Sequence, residues 1–381
     1  MLLLIILVHV AHIYNPKVDW IVSSPDQTGL APILSAIPVF SMQGFFMISS
    51  ILSIFLLRKR SYEDWAKGRL LRISIPLITG ILILNPITIY AASAAMSIGA
   101  AGETGSQFTG DLASDFSVID RRWVGHLWFL VTLGIFTMIA WYGFAKGVLM
   151  NGLESTSRFL VALDQRVSLW WFTVSAIAVW SFGVKAAFYL FKTWLGFEPA
   201  IIAVLNVDTL FSYFPIFLLG LLLGVSEDLR TILFKTPPIR TGLLLTAYAA
   251  YVLSAGAEIK EVYLLRRFVS AGVGTGIALF LFGYLADKIR QPRPIVKQIS
   301  KYSYSVYLLH YPIANLLGYA FVFVAWNATF EFIVAIALTY GLSFLTAWLV
   351  NQSKYSKFVI NGEPFWSAQT PASSGKRLIR S

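Results

Sequence analysis

Apolar runs of membrane-spanning length follow one another along almost the whole chain, divided by short polar breaks. They fall near residues 1–15, 33–57, 73–95, 123–144, 168–191, 208–225, 241–257, 268–286, 303–325 and 332–350. A helix needs roughly 17–25 apolar residues to cross a bilayer. The pattern therefore predicts an all-α polytopic membrane protein of about ten transmembrane helices. The clearest breaks are "RKRSYEDWAKGR", "GAAGETGSQFTGDLASD", "KTPPIR" and "DKIRQPRP". Within 192–225 the stretch "KTWLGFEPAIIAVLNVD" also suits an interfacial or re-entrant piece. The organisation expected is one integral-membrane domain, 1–350, followed by a polar cytoplasmic tail, 351–381. The first run lacks a basic leader and a small-residue cleavage site, so it reads as a retained helix.

Composition supports this class. Of the 381 residues, 57% are hydrophobic and 13% charged, against about 25% charged in soluble domains. The absence of cysteine removes disulfides, thiolate metal sites and a cysteine nucleophile. A net charge of +11 invites a nucleic-acid reading, but the charge follows topology. With Met1 in the cytoplasm, the loops and tail on that side hold 22 Lys and Arg and the opposite loops hold 7. The positive-inside rule then places both termini in the cytoplasm. No nucleic acid is needed to explain the charge.

Four histidines, His9, His12, His126 and His310, all lie in apolar runs, in "LVHVAHIY", "WVGHLWFLV" and "YSVYLLHYP". An ionisable residue inside a span is costly and is a functional candidate by default, with a hydrogen-bonded bundle residue as the bland alternative. At about 1.5 Å per residue, His9 lies on the order of 12 Å from Met1 and His126 about 5 Å inside the external end of its helix. These two could share a cavity open to the outside. His310, about 10 Å in from the cytoplasmic side, would then belong to a different layer. Zinc is disfavoured, because neither an HExxH nor a carboxylate within the spans accompanies the histidines. A neutral buried imidazole suits general base work on a hydroxyl instead.

A second signal is "KGRLLRISIP". Arg69 and Arg72 are three apart and project from one side of a helix start. Arg58, Lys59 and Arg60 read as ordinary anchors. An RxxR turned toward the bundle would make a bidentate phosphate clamp, because guanidinium forks match phosphate oxygens. A phosphate-bearing donor held from inside and basic histidines reached from outside is an arrangement for transmembrane group transfer.

Together these motifs resemble the acyltransferase 3 family of membrane O-acyltransferases. "LVHVAHIY", "FSMQGFFMISSILSIFLL", "WAKGRLLRISIP", "GHLWFLV" and "SYSVYLLHYP" occur in the family's order over roughly residues 1–325. The match is closest to the OpgC branch, succinyltransferases of osmoregulated periplasmic glucans. The resemblance implies His9 as catalytic base, His126 as its catalytic companion, and Arg69 and Arg72 as acyl-donor contacts. It implies supporting places for Gln43, Trp128, Tyr307 and His310, and it assigns none to His12. Two departures stand out. Only eight residues precede His9, so an upstream start is expected, and "SSILS" replaces a common Ser-Gly pair in the second helix.

The function implied is an inner-membrane O-acyltransferase moving a succinyl or similar small acyl group to hydroxyls of a periplasmic glucan. The co-substrate implied is succinyl-CoA or another acyl-CoA, with no permanently bound cofactor and no metal. Partners are the lipid bilayer and the saccharide acceptor, with room for a homo-oligomer. An O-acetyltransferase for another envelope polysaccharide or lipid-linked sugar is the alternative within the family. A proton-coupled transporter is the alternative from another class, and the scarcity of Asp and Glu in the spans stands against it. Direct transfer and an acyl-histidine route both remain open.

Overall fold

The computed structural model describes residues 2–15, 20, 22–24, 28–34, 36–100, 107–117, 121–196, 202, 205–235, 237–254, 260–289, 291 and 293–364. Among them the regular elements are helical. In chain order they are α1 (Leu2–Ile13), α2 (Ala31–Leu34), α3 (Pro38–Leu57) and α4 (Tyr62–Thr79). One π-helical turn, Gly80–Leu84, joins α4 to α5 (Asn85–Ser97). Next come α6 (Leu112–Ser117), α7 (Arg121–Val124), a 3₁₀ turn (Gly125–Leu127) and α8 (Trp128–Ala145). The remainder are α9 (Val148–Leu163), α10 (Leu169–Leu195), α11 (Val207–Val225), α12 (Glu227–Phe234), α13 (Pro238–Leu253), α14 (Lys260–Lys288), α15 (Pro294–Phe321), α16 (Ala328–Val350) and α17 (Lys354–Asn361).

The chain is an all-α polytopic membrane protein. Seven helical stretches among the described residues are long and apolar enough to cross a bilayer: Pro38–Leu57, Tyr62–Ser97, Arg122–Ala145, Leu169–Leu195, Val207–Val225, Phe268–Lys288 and Ala328–Val350. The described residues of all ten apolar runs nonetheless fall mainly on helices. The three outside the seven are α1, with 12 residues, α13, with 16, and α15. α15 has ample length, but its opening stretch, "PIVKQISKYSY", is polar. Part of the ambiguous 192–225 stretch (197–201, 203 and 204) and the tail beyond residue 364 lie outside the described residues.

Contacts divide the chain into two compact units. The first draws on Met1–Pro38, Arg72–Leu130 and Pro292–Phe365. Its centre is α1, packed against α15 and α16. Val10, Ala11, Ile13 and Tyr14 join Ala314, Phe321, Phe332 and Ala335 in one apolar cluster, and Ile6 meets Val306 and Ala347 below it. α1 is apolar nearly all round, the pattern of a helix buried inside a bundle rather than laid on its surface. Tyr14 donates to the buried Glu331 carboxylate at 2.8 Å, fixing the end of α1 to the first turn of α16.

The second unit holds Val39–Leu71 and Val131–Gln291. Here α10 packs against α11 and α14. α3 approaches α14 so closely at Gly274 that an added methyl group would meet the Val39 carbonyl oxygen and the Gln43 side chain. Gln43 uses this approach to donate to the Ala271 carbonyl at 3.3 Å.

Candidate active site

All four histidines gather in the first unit. His9 on α1 and His310 on α15 lie with ring planes 12° apart and centroids 4.9 Å apart. Their facing nitrogens, His9 Nδ1 and His310 Nε2, are 3.0 Å apart. That is closer than rings in face-to-face van der Waals contact come, so the two imidazoles meet edge to edge through a hydrogen bond. The other nitrogen of His310, Nδ1, is 3.1 Å from the Val306 carbonyl one turn earlier. His310 is fully buried and His9 is half-buried.

His126 completes the cluster, with its ring centroid 6.1 Å from that of His310. Tyr311 links His126 to His9: its ring stacks on His126 at 4.2 Å and meets His9 edge-on at 5.0 Å. His126 is 8% exposed, and neither of its ring nitrogens makes a hydrogen bond among the described residues. An imidazole buried without partners is costly unless a ligand or water uses it, because a lost hydrogen bond leaves its full desolvation penalty.

The local sequence explains how His126 reaches this place. It sits in the tight 3₁₀ turn between α7 and α8, and Gly125 takes φ +46°, a left-handed conformation that favours glycine. The Asn85 side-chain amide donates to the Trp123 carbonyl just before the turn. Tyr307 donates to the His126 carbonyl at 3.3 Å. Leu127 is buried against Gly80, where the π turn begins. π turns recur at functional sites because the widened turn re-aims the chain, and here the residues at both its ends brace the histidine loop.

His310 stands differently from the sequence expectation. Depth counted from residue 303 assigned it to a layer apart from His9, whereas the two are hydrogen-bonded. Counted from the same side, His9 at about 12 Å and His310 at about 10 Å differ by little more than one residue's rise, so the spacing itself gave no ground for two layers; the helix moreover begins at Pro294, sixteen residues before His310. Hydropathy misses this first polar stretch of α15. Two further members of the cluster, Tyr311 and Trp20, carry no sequence expectation. Trp20 lies 5.3 Å from His9 and 4.7 Å from His12, ring to ring. The signal for Tyr311 was its place beside His310 and one turn after Tyr307; a lone Trp in a loop offered none. His12 is 6.3 Å from His9.

The remaining candidates sit as follows. Trp128 is half-buried at the start of α8, edge-on to Phe129. The Phe129 ring is in turn 6.0 Å from that of Tyr307. Gln43 belongs to the second unit and bridges α3 to α14 there. The two arginines share α4 but not surroundings. Arg69 is half-buried in the second unit, where it donates to Thr137 at 3.0 Å and to the Ser49 hydroxyl. Arg72, in the first unit, is exposed and 3.9 Å from the Glu363 carboxylate. Among the described residues, no three or more His, Cys, Asp or Glu side chains are arranged to hold a metal ion.

Asp115 on α6 is buried and 3.9 Å from Arg122. Burial pushes its carboxyl up, but hydrogen bonds from Thr109, Ser93 and Gly110 outweigh that and hold it below the ordinary carboxylate value.

These histidines lie inside a polytopic helical bundle. The chain belongs to the acyltransferase 3 family of membrane acyltransferases, whose acyltransferase domain matches residues 1–348. It is similar to the glucans biosynthesis protein C of Escherichia coli (strain K12), at 23% identity over 365 residues, covering 93% of this chain and 90% of that protein. The protein of the same name from Shigella dysenteriae serotype 1 (strain Sd197) matches to the same extent. No solved structure matches the chain.

Proposed function

We propose that the protein is a bacterial inner-membrane O-acyltransferase that moves a succinyl or similar small acyl group from cytoplasmic acyl-CoA to hydroxyls of a periplasmic glucan. The observation that carries this reading is the meeting of His9, His310 and His126 within one unit of a chain of this family. The glucan rests on the name of the relatives, and the succinyl group on the motif resemblance alone.

The chemistry balances with the chain's own groups. An acceptor hydroxyl gives its proton to His9 as its oxygen bonds to the thioester carbonyl carbon. The carbon–sulfur bond then breaks, and the coenzyme A thiolate takes the proton back from the imidazolium. General base assistance of this kind is worth about 10²–10⁴-fold. His126 faces the oxygen that becomes negative during attack, where a fixed donor contributes most. Arg69 and Arg72 hold donor phosphates, and both termini lie in the cytoplasm with the basic loops.

Each part has its own test. Mass spectrometry of envelope glucans from a deletion strain should show loss of an acidic substituent. Glucans with unchanged substituents would remove the glucan as acceptor. An Arg69→Lys, Arg72→Lys double variant should weaken acyl-CoA binding by about tenfold or more, because an ammonium lacks the bidentate fork. Unchanged affinity would leave both arginines as anchors. For topology, a C-terminal reporter that works only in the cytoplasm should be active; activity of a periplasm-only reporter there would reverse the orientation.

A further inference from the structure

The hydrogen bonds around His310 determine more than proximity. The Val306 carbonyl oxygen can only accept, so the His310 Nδ1 that lies 3.1 Å from it carries a hydrogen. In a neutral imidazole the other nitrogen is then bare. His310 Nε2 is therefore an acceptor, and the hydrogen in its 3.0 Å bond to His9 must sit on His9 Nδ1. A neutral His9 with hydrogen on Nδ1 has its lone pair on Nε2. The chain of bonds runs one way, from His9 through His310 to the backbone of α15.

We propose that His310 is a positioning residue that fixes the tautomer of His9, so that His9 Nε2 is the nitrogen that takes the acceptor's proton. The inference rests on the reading of His9 as base and adds the atom and the partner that sets it. The arrangement parallels the orienting carboxylate of a serine hydrolase triad, with a neutral imidazole in its place. A neutral orienting group suits a buried site, because a carboxylate there would carry its own desolvation cost. When His9 takes the proton, its Nδ1–H bond to His310 becomes charge-assisted and strengthens. His310 keeps its own hydrogen on Nδ1, donated to the Val306 carbonyl, throughout, so no proton need pass along the chain. Tyr311 holds the geometry from the side, edge-on to His9 and stacked on His126.

The chain's four histidines make the tautomer directly readable. Full-length protein labelled with ¹⁵N-histidine in lipid nanodiscs should give four imidazole spin systems, with the His9 set assigned by its loss in His9→Gln. The expected wild-type pattern is His9 protonated at Nδ1 and bare at Nε2. In His310→Ala the His9 signals should move toward the Nε2–H tautomer, and kcat should fall by about 10²-fold or more, since a wrong tautomer in a catalytic triad costs on the order of 10⁴. Donor KM should hold. His310→Gln, whose amide oxygen can accept near the position of Nε2, should recover part of the rate. A wild-type His9 carrying its hydrogen on Nε2 would overturn the proposal, and that spectrum needs no variant to fold. An unchanged tautomer and rate in His310→Ala would overturn it too. Neither result bears on whether His9 is the base, which the loss of activity in His9→Ala decides separately.

Discussion

Replacing His9 with alanine is expected to lower acyl transfer by about 10²–10⁴-fold, while the protein still inserts and still binds acyl-CoA. The size follows from what the residue supplies. A sugar hydroxyl is a weak nucleophile until its proton has somewhere to go, and in the proposed mechanism the imidazole provides that place during attack. His9 is half-buried where α1 meets α15, so its removal leaves the apolar contacts of Ile6, Val10 and Ile13 intact. Loss of rate should therefore come without loss of fold. Transfer assays on purified variant, with the thermal midpoint measured alongside, separate the two. Near-normal turnover in a folded His9→Ala protein would reduce His9 to a hydrogen-bonded bundle residue.

His126→Ala is expected to fall nearly as far, by about 10²–10³-fold in kcat, the usual loss when one donor to a developing oxyanion is removed. Its two ring nitrogens find no hydrogen bond among the described residues although the ring is 8% exposed. Such a group is a poor structural element and a well-placed ligand for something that arrives. The variant should also lose some stability, about 0.5–1.5 kcal/mol, because the stacked contact with Tyr311 goes. Steady-state kinetics discriminates between the roles. A fall in kcat with donor KM held marks a transition-state role, whereas a rise in KM alone would mark simple substrate binding.

Much of this architecture was legible in the order of apolar runs, because a spanning helix must advertise about 20 apolar residues in a row. The same logic fails where a helix earns its place by packing rather than by hydropathy. α15 starts at Pro294 in a polar stretch, so its true length was hidden. The histidines were conspicuous because buried imidazole is rare in such runs. Their partners were not: Tyr311 and Trp20 look like ordinary aromatic filling until the helices bring them against His9. Nor could spacing reveal that Arg69 is bonded to Thr137 and Ser49 while Arg72 stands exposed beside Glu363. That difference depends on which neighbours each turn of α4 meets.

The most direct measurement is acyl transfer by the purified protein in lipid nanodiscs, supplied with acyl-labelled succinyl-CoA or acetyl-CoA and a neutral glucan. Label should appear on the glucan as an ester that mild base releases, for wild type and not for His9→Ala. A folded wild-type protein that transfers label from neither donor would contradict the assignment.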